Sequence, residues 1–195
     1  LVFCKNPRLG KVKTRLANEI GEVQACDVYK KLFSITHNVC KQWIERQAGR
    51  KLVFYGTGDR SMWNQMNVDN AKCQMGYDLG LRMENAIREE LRVADNVCII
   101  GTDLPEISVE LLENAFERLE HKNTVLGPAK DGGFYLFGTS HMPINAFVDL
   151  SWSCANTLEV TERRLQGFGC DISKLQTLRD IDTKEDLDLF KKIIL

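Results

Sequence analysis

The positions Ala25, Val28, Tyr29, Leu32, Phe33 and Thr36 keep a 3.6-residue spacing within a stretch running from about Thr14 to Gln47. That spacing predicts a helix with one buried face, broken near Gly21. Leu79, Met83, Ala86, Ile87 and Leu91 repeat the pattern over Leu79–Leu91, and Leu111, Leu112, Ala115, Phe116 and Leu119 repeat it over Ser108–Leu119, where Ser108 is placed to cap the helix. Shorter helices are expected over Glu159–Gln166 and from Asp182-Thr183 through Leu187 and Phe190 to the last residue. Val97–Ile100 is apolar without interruption, which is how a strand buried on both faces reads. Further strands are expected at Leu1–Phe3, Lys51–Tyr55, Thr124–Leu126 and Phe134–Phe137, with a turn at Gly56-Thr57-Gly58-Asp59. Strands alternating with helices predict an α/β three-layer sandwich with a mainly parallel central sheet. Ligands of such sheets bind beyond the carboxyl ends of the strands, so the residues that follow each strand carry the functional reading.

Composition narrows the classes without changing that picture. The 195 residues are 44% hydrophobic and 27% charged, with a formal net charge of −1, so no global field calls for nucleic acid or an anionic membrane. No apolar run approaches the ~18 residues of a membrane span. No linker or repeat divides the chain, and residues 1–195 are read as one domain. Leu1 is not an initiator methionine, so the first strand is expected to begin before it; no secretory signal is read. The seven cysteines are odd in number and show no C-x-x-C spacing, which fits reduced thiols and a cytoplasmic protein better than a zinc site or a disulfide framework. His37, His121 and His141 have no metal-ligand spacing, and Trp43, Trp63 and Trp152 are read as packing residues.

Candidate chemistry follows the strands. After the first comes Lys5-Asn6-Pro7-Arg8-Leu9-Gly10-Lys11-Val12-Lys13-Thr14-Arg15, with five cations in eleven residues and no acid before Glu19. Backbone donors around Gly10 and converging cations make a phosphate cradle; a solvated basic turn is the competing account. Arg15 is suited to bidentate phosphate binding and Lys13 to acting as a point charge. Val12 stands where a P-loop needs Ser or Thr, so this is not one, and Gly56-x-Gly58-x-x-Ser61 lacks the third glycine of a dinucleotide fingerprint. After Val97–Ile100 comes Gly101-Thr102-Asp103-Leu104-Pro105. Asp103 at a strand tip suits Mg²⁺ or caps the following turn. Asp180 and Asp182 alternate with Ile181, which puts both on one side of an extended segment, and one of them offers a second metal ligand; against this, Thr183 and Asp186 resemble a capping box. Asp131-Gly132-Gly133 precedes an aromatic strand and either admits a ligand close to the backbone or forms a hairpin turn. In the Gln74–Met83 stretch, Gly76 and Gly80 leave room for a base or ribose and Gln74 for a bond to a base edge; a plain capping turn competes.

Five motifs in order carry a resemblance over nearly the whole chain: K-x-P-x-x-G-x-V-K-T-R-L at Lys5–Leu16, Q-x-G-x-x-L-G-x-R-M at Gln74–Met83, G-T-D-L-P at Gly101–Pro105, G-P-A-x-D-G-G-F-Y-L at Gly127–Leu136 and D-I-D-T at Asp180–Thr183. The chain resembles the selenodomain-associated transferase type 1 family, also described as arsenosugar-biosynthesis glycosyltransferases, a branch of the nucleotide-diphospho-sugar transferases. Their relatives include phospholactate and molybdenum-cofactor guanylyltransferases. The resemblance implies a Rossmann-like GT-A fold and a metal-dependent transferase with a nucleotide donor and a small-molecule acceptor, without nucleic acid or membrane insertion. The first reading is a glycosyltransferase moving a sugar from a nucleotide-diphospho-sugar to the acceptor. The alternative is a nucleotidyltransferase coupling a nucleoside triphosphate to a phosphorylated small molecule with release of pyrophosphate, and a non-catalytic nucleotide-binding module on the same fold is the third. It implies Lys5, Pro7, Gly10, Lys13 and Arg15 along the donor, Lys13, Arg15 and Asp103 as catalytic groups, and Gln74, Gly76 and Gly80 near base and ribose. It also implies Asp131, Gly132 and Gly133 on the acceptor side, and Mg²⁺ or Mn²⁺ on Asp103 and Asp182. Leu104-Pro105 replaces the D-x-D of many glycosyltransferases, which keeps nucleotidyl transfer open.

Overall fold

The computed structural model describes residues 1–58, 68, 70–152 and 154–194. Asp59, Ser61 and Trp63, on which parts of the sequence reading rest, lie outside the described residues. Strands are β1 (Val2–Lys5), β2 (Phe54–Thr57), β3 (Ala71–Cys73), β4 (Val97–Ile100), β5 (Thr124–Pro128), β6 (Phe134–Thr139) and β7 (Ile172–Lys174). Helices are α1 (Thr14–Ile20), α2 (Glu22–Glu45), α3 (Leu79–Glu90), α4 (Val109–His121), α5 (Thr157–Gly167), α6 (Lys184–Leu189) and α7 (Lys191–Ile194). The chain is α/β with a mostly parallel arrangement of strands: β1 pairs with β2, β2 with β3 and β5 with β7 in parallel, whereas β6 pairs antiparallel with β4 and β5. It divides into two compact units.

One unit holds Val2–Cys73, Gly101–Val109 and Arg179–Leu195. Its strands pair in parallel, β1 on β2 from Val2↔Phe54 to Lys5↔Thr57, and β2 on β3 from Phe54↔Ala71 to Gly56↔Cys73. The second strand was expected at Lys51–Tyr55 and forms at Phe54–Thr57 instead. The ladder decides this: Gly56 pairs with Cys4 and Thr57 with Lys5, so residues read as a turn are held in register by the neighbouring strand. The predicted break at Gly21 is present, with φ 89° ending α1 and letting α2 start afresh. The buried stripe of α2 runs from Ala25 to Trp43 as the periodicity predicts. Ala25, Val28 and Leu32 of that stripe pack with Leu16, Ile181, Leu187 and Ile194. Ile181 is completely buried there, and its burial fixes the flanking Asp180 and Asp182.

The capping box expected at Thr183 is also present. The Thr183 hydroxyl accepts from the Asp186 N–H at 3.2 Å, and the Asp186 carboxylate accepts from the Thr183 N–H at 3.0 Å. Arg179 adds a bond to Asp186 at 2.8 Å. Burial works against the Asp186 charge, but these bonds outweigh it and hold its carboxyl below the usual range. Because the folded value is the lower one, this stabilisation is present above the ordinary carboxylate pKa and is lost as pH falls through the folded value. Thr183→Ala is expected to cost about 1 kcal/mol in chemical denaturation at neutral pH, with unchanged far-ultraviolet dichroism.

The other unit holds Gln74–Ile100 and Glu110–Leu178, with Leu1. Here β6 runs antiparallel to both β4 and β5, and β7 runs parallel to β5. The strands β3 and β7, each three residues long and only partly buried, have no alternating pattern to announce them. Phe134, Phe137, Phe147 and Trp152 form an aromatic cluster with ring centroids 5.0–6.4 Å apart, which bears out Trp152 as a packing residue. Among the described residues no helix is long and apolar enough to cross a membrane.

Candidate functional site

Lys5 at the end of β1, Arg8 and Lys11 of the following loop and Arg15 in the first turn of α1 are exposed, whereas Val12 is buried against Cys26 and Tyr29 of α2. The Tyr29 hydroxyl accepts from the Lys5 N–H at 2.7 Å and donates to the Lys5 carbonyl at 2.8 Å. The Cys26 thiol donates to the Pro7 carbonyl at 3.4 Å. Burial pushes the Tyr29 hydroxyl well above its ordinary pKa, so it stays protonated and able to serve both backbone groups. Gly10 turns the loop at φ 68°. Gly58, just past β2, lies against the Asn6 side chain, where a Cβ would stand 2.7 Å from Nδ2. The loop is thus pinned by α2 and by the end of the next strand.

The pinning turns Lys13 inward. Its backbone is left-handed, φ 47° and ψ 45°, immediately before α1, and its side chain is only 3% exposed. The ammonium is salt-bridged to Asp103 and stands 3.2 Å from Asp182 Oδ1. Arg15, 60% exposed, reaches Asp182 Oδ2 at 3.6 Å. The Asp103 loop and the Asp182 segment are joined directly, the Ile181 N–H donating to the Asp103 carbonyl at 3.1 Å. Burial opposes the Lys13 charge, but Asp103 and then Asp182, with Asp180 further off, outweigh it and hold the ammonium above its usual pKa. Residues from three distant stretches therefore meet at one point, within a single unit. Lys13, read as a phosphate ligand, is engaged with the two carboxylates, and Lys5, Arg8, Lys11 and Arg15 are the cations of this stretch exposed to solvent.

The donor set fits a hard divalent cation. Asp103 and Asp182 are 43% and 37% exposed and converge on one positive charge. Among the described residues no group of three or more His, Cys, Asp or Glu side chains could cage a metal. Two carboxylates suit Mg²⁺ or Mn²⁺, which fill the remaining positions with water and phosphate oxygens.

Gln74, Gly76, Gly80, Asp131, Gly132 and Gly133 all belong to the other unit. Asp78 caps α3, its carboxylate accepting from the Leu81 N–H at 2.7 Å. Gly76 at φ 147° packs on the Arg82 backbone, and a Cβ on Gly80 would stand 2.5 Å from the Phe147 carbonyl. Asp131-Gly132-Gly133 forms the tip of the β5–β6 hairpin: the Gly133 N–H donates to Asp131 Oδ1 at 2.9 Å, and the Ala129 N–H to the Gly133 carbonyl at 2.9 Å. Sequence reasoning found the charged members of the cluster and missed their supports. Tyr29 and Cys26 read as core positions of a helix, and Arg179 carried no signal before Asp186 was placed beside it.

Cys73 and Cys154 are exposed, whereas Cys4, Cys26, Cys40 and Cys98 are buried, and burial pushes the Cys40 and Cys98 thiols up to about 11 and about 12. In a native titration with an aromatic disulfide reagent, two thiols are expected to react ahead of the others, and mass mapping should find the label on Cys73 and Cys154.

Comparison with known proteins gives a coherent result. The model of a family described as "Uncharacterized protein conserved in bacteria (DUF2064)" matches residues 39–154. No curated protein matches. Among solved structures, a protein from Desulfovibrio desulfuricans G20 proposed to be a nucleotide-diphospho-sugar transferase is similar at 28% identity and a TM-score of 0.79, over 97% of this chain and 84% of that one. CMP:2-keto-3-deoxy-manno-octonic acid synthetase, solved with CTP, shares the fold at 11% identity and a TM-score of 0.54, over 99% and 97% of the two chains. Rv0371c from Mycobacterium tuberculosis H37Rv, solved with manganese, shares it at 14% identity and a TM-score of 0.53, over 99% and 96%. The likeness to the D. desulfuricans protein supports the nucleotide-diphospho-sugar transferase superfamily indicated by the motifs, and the other two show the shared fold.

Proposed function

The chain belongs to the DUF2064 family of proteins conserved in bacteria, and on that premise we propose that it is a metal-dependent transferase acting on a nucleotide donor, moving a sugar from a nucleotide-diphospho-sugar to a small acceptor. The observation that carries the reading is the meeting of Lys13, Arg15, Asp103 and Asp182 beyond the carboxyl end of β1. Similarity to the D. desulfuricans protein supports a sugar nucleotide as donor, and the ordered motifs favour the selenodomain-associated branch.

In this reading Asp103 and Asp182 hold Mg²⁺ or Mn²⁺, which when bound neutralises charge developing on the diphosphate. Arg15 grips phosphate oxygens with its guanidinium, and Lys5 and Lys11 add positive field around them. Lys13 steadies both carboxylates and adds positive charge beside them. Pro7 and Gly10 shape the donor loop. The acceptor nucleophile attacks the anomeric carbon, the bond from that carbon to the diphosphate oxygen breaks, and the nucleoside diphosphate leaves.

One observation favours nucleotidyl transfer as a second reading. Leu104 and Pro105 are buried, so the metal-binding acids are two single carboxylates from distant segments, without a D-x-D pair at Asp103. There the acceptor phosphate would attack the α-phosphorus and pyrophosphate would leave. A thermal-shift screen of nucleoside triphosphates and nucleotide sugars, with and without Mg²⁺ or Mn²⁺, separates the two. A ligand that binds only the native state at a hundred times its Kd stabilises it by about 2.7 kcal/mol. A metal-dependent shift with a sugar nucleotide is the expected result. A triphosphate-selective shift would select the second reading, and no shift with either class would exclude both.

A further inference from the structure

Lys13 does more than line the site. We propose that it is a built-in counter-cation of the Asp103/Asp182 pair, lowering the affinity for a bare divalent ion so that metal binds well only together with the donor's phosphates. This deepens the proposed function and rests on its assignment of the metal to these two carboxylates.

The geometry supports a fixed charge. The ammonium contacts both carboxylates, and the side chain is almost wholly buried. Val12 before it and Leu16 after it are buried at 2% and 0% exposure, and the Lys13 backbone is set in the left-handed region. Moving the ammonium away would mean breaking both ion pairs. The carboxylates, in contrast, remain more than a third exposed. An incoming divalent ion therefore meets two negative charges already offset by one positive charge, with a second, Arg15, 3.6 Å from Asp182. Donor phosphates reverse this balance in two ways. They bring negative charge of their own, and they offer exposed Arg15 a better partner than Asp182, which returns Asp182 to the metal. Nucleotide then raises metal affinity, and by linkage metal raises nucleotide affinity by the same factor.

The test is Mn²⁺ binding to the full chain, read from the loss of the free-ion electron paramagnetic resonance signal. Mn²⁺ is titrated alone and then with UDP or GDP, for the wild type, Lys13→Met, Lys13→Gln and Arg15→Gln. The wild type is expected to bind Mn²⁺ weakly alone and more tightly with nucleoside diphosphate. Lys13→Met and Lys13→Gln are expected to bind Mn²⁺ alone at least about tenfold more tightly, because a unit charge a few ångströms from the ion has been removed, and to show less gain from nucleotide. Arg15→Gln changes an exposed residue and is expected to raise bare Mn²⁺ affinity by a smaller factor. If both Lys13 variants fail to fold, the wild type still decides: Mn²⁺ bound as tightly alone as with nucleoside diphosphate would overturn the inference. Unchanged or weaker bare Mn²⁺ binding in the variants that fold would overturn the inference, even if nucleotide still promotes metal binding in the wild type. A wild type that binds no Mn²⁺ with either diphosphate would overturn the proposed metal site itself.

Discussion

Asp103→Asn is expected to leave a folded protein that has lost the metal-dependent part of its nucleotide affinity and turns over donor about 10²–10³-fold more slowly, the usual cost of removing a group that stabilises developing charge. Folding should survive because the carboxyl is 43% exposed, asparagine is close to its equal in size, and Lys13 keeps Asp182 at 3.2 Å. The buried ammonium is thus not left uncompensated, which is the circumstance that makes broken buried ion pairs so costly. Calorimetric titration checks this with donor in Mg²⁺ and in chelator. Asp103→Asn in Mg²⁺ should match the wild type in chelator, since the exposed arginine and lysines still meet the phosphates. An affinity in Mg²⁺ equal to that of the wild type would remove Asp103 from the metal site.

Gly132→Ala is expected to be among the most damaging single substitutions outside the charged cluster, lowering stability by more than about 3 kcal/mol. Two costs combine. Gly132 sits at φ 89°, where a side chain introduces about 1–3 kcal/mol of strain. Its added Cβ would also overlap the Ala155 carbonyl and the backbone beside it, atoms that no rotamer change can move aside. The Gly132 carbonyl accepts from the Leu158 N–H at 2.8 Å, so retreat of the hairpin tip would detach it from the first turn of α5. Gly49 supplies the control: its φ is 87° and a Cβ there would meet nothing within 4 Å. Chemical denaturation of Gly49→Ala and Gly132→Ala should therefore differ by the cost of the overlap alone. Equal losses would show that backbone conformation, and not the contact with Ala155, requires glycine at 132.

That pair also shows where the sequence was legible. Periodicity located α2, α3 and α4 to within a few residues because a helix with one buried face must repeat apolar side chains at its own pitch. Continuous apolarity located β4 to the residue. Strand β2 begins three residues and ends two residues later than expected because Gly56 has no strand character of its own, and it and Thr57 are held in the strand by pairing with Cys4 and Lys5. The strands β3 and β7 were not delimited because three partly buried residues carry too little pattern. At the site, charge was legible and partnership was not. A basic loop and two separated acids suggested convergence, and the structure brings Lys13, Arg15, Asp103 and Asp182 together. That Lys13 would be the buried member, with Arg15 facing solvent, depended on Val12 packing beneath the loop and on the left-handed backbone at Lys13. The glycines at 80 and 132 show the same limit from the other side. Their lack of a side chain was read as room for a ligand, and the structure fills the space with Phe147 and with Ala155.

The most direct test is where a divalent ion goes when a nucleoside diphosphate is present. Crystals grown with Mn²⁺ and the donor selected by thermal shift, measured at the manganese absorption edge, locate that ion by its anomalous scattering. The expected result is one strong peak within direct ligand distance of both Asp103 and Asp182 and of the donor's phosphate oxygens. A nucleotide and its manganese found elsewhere, with Asp103 and Asp182 still bound only to Lys13, would contradict it.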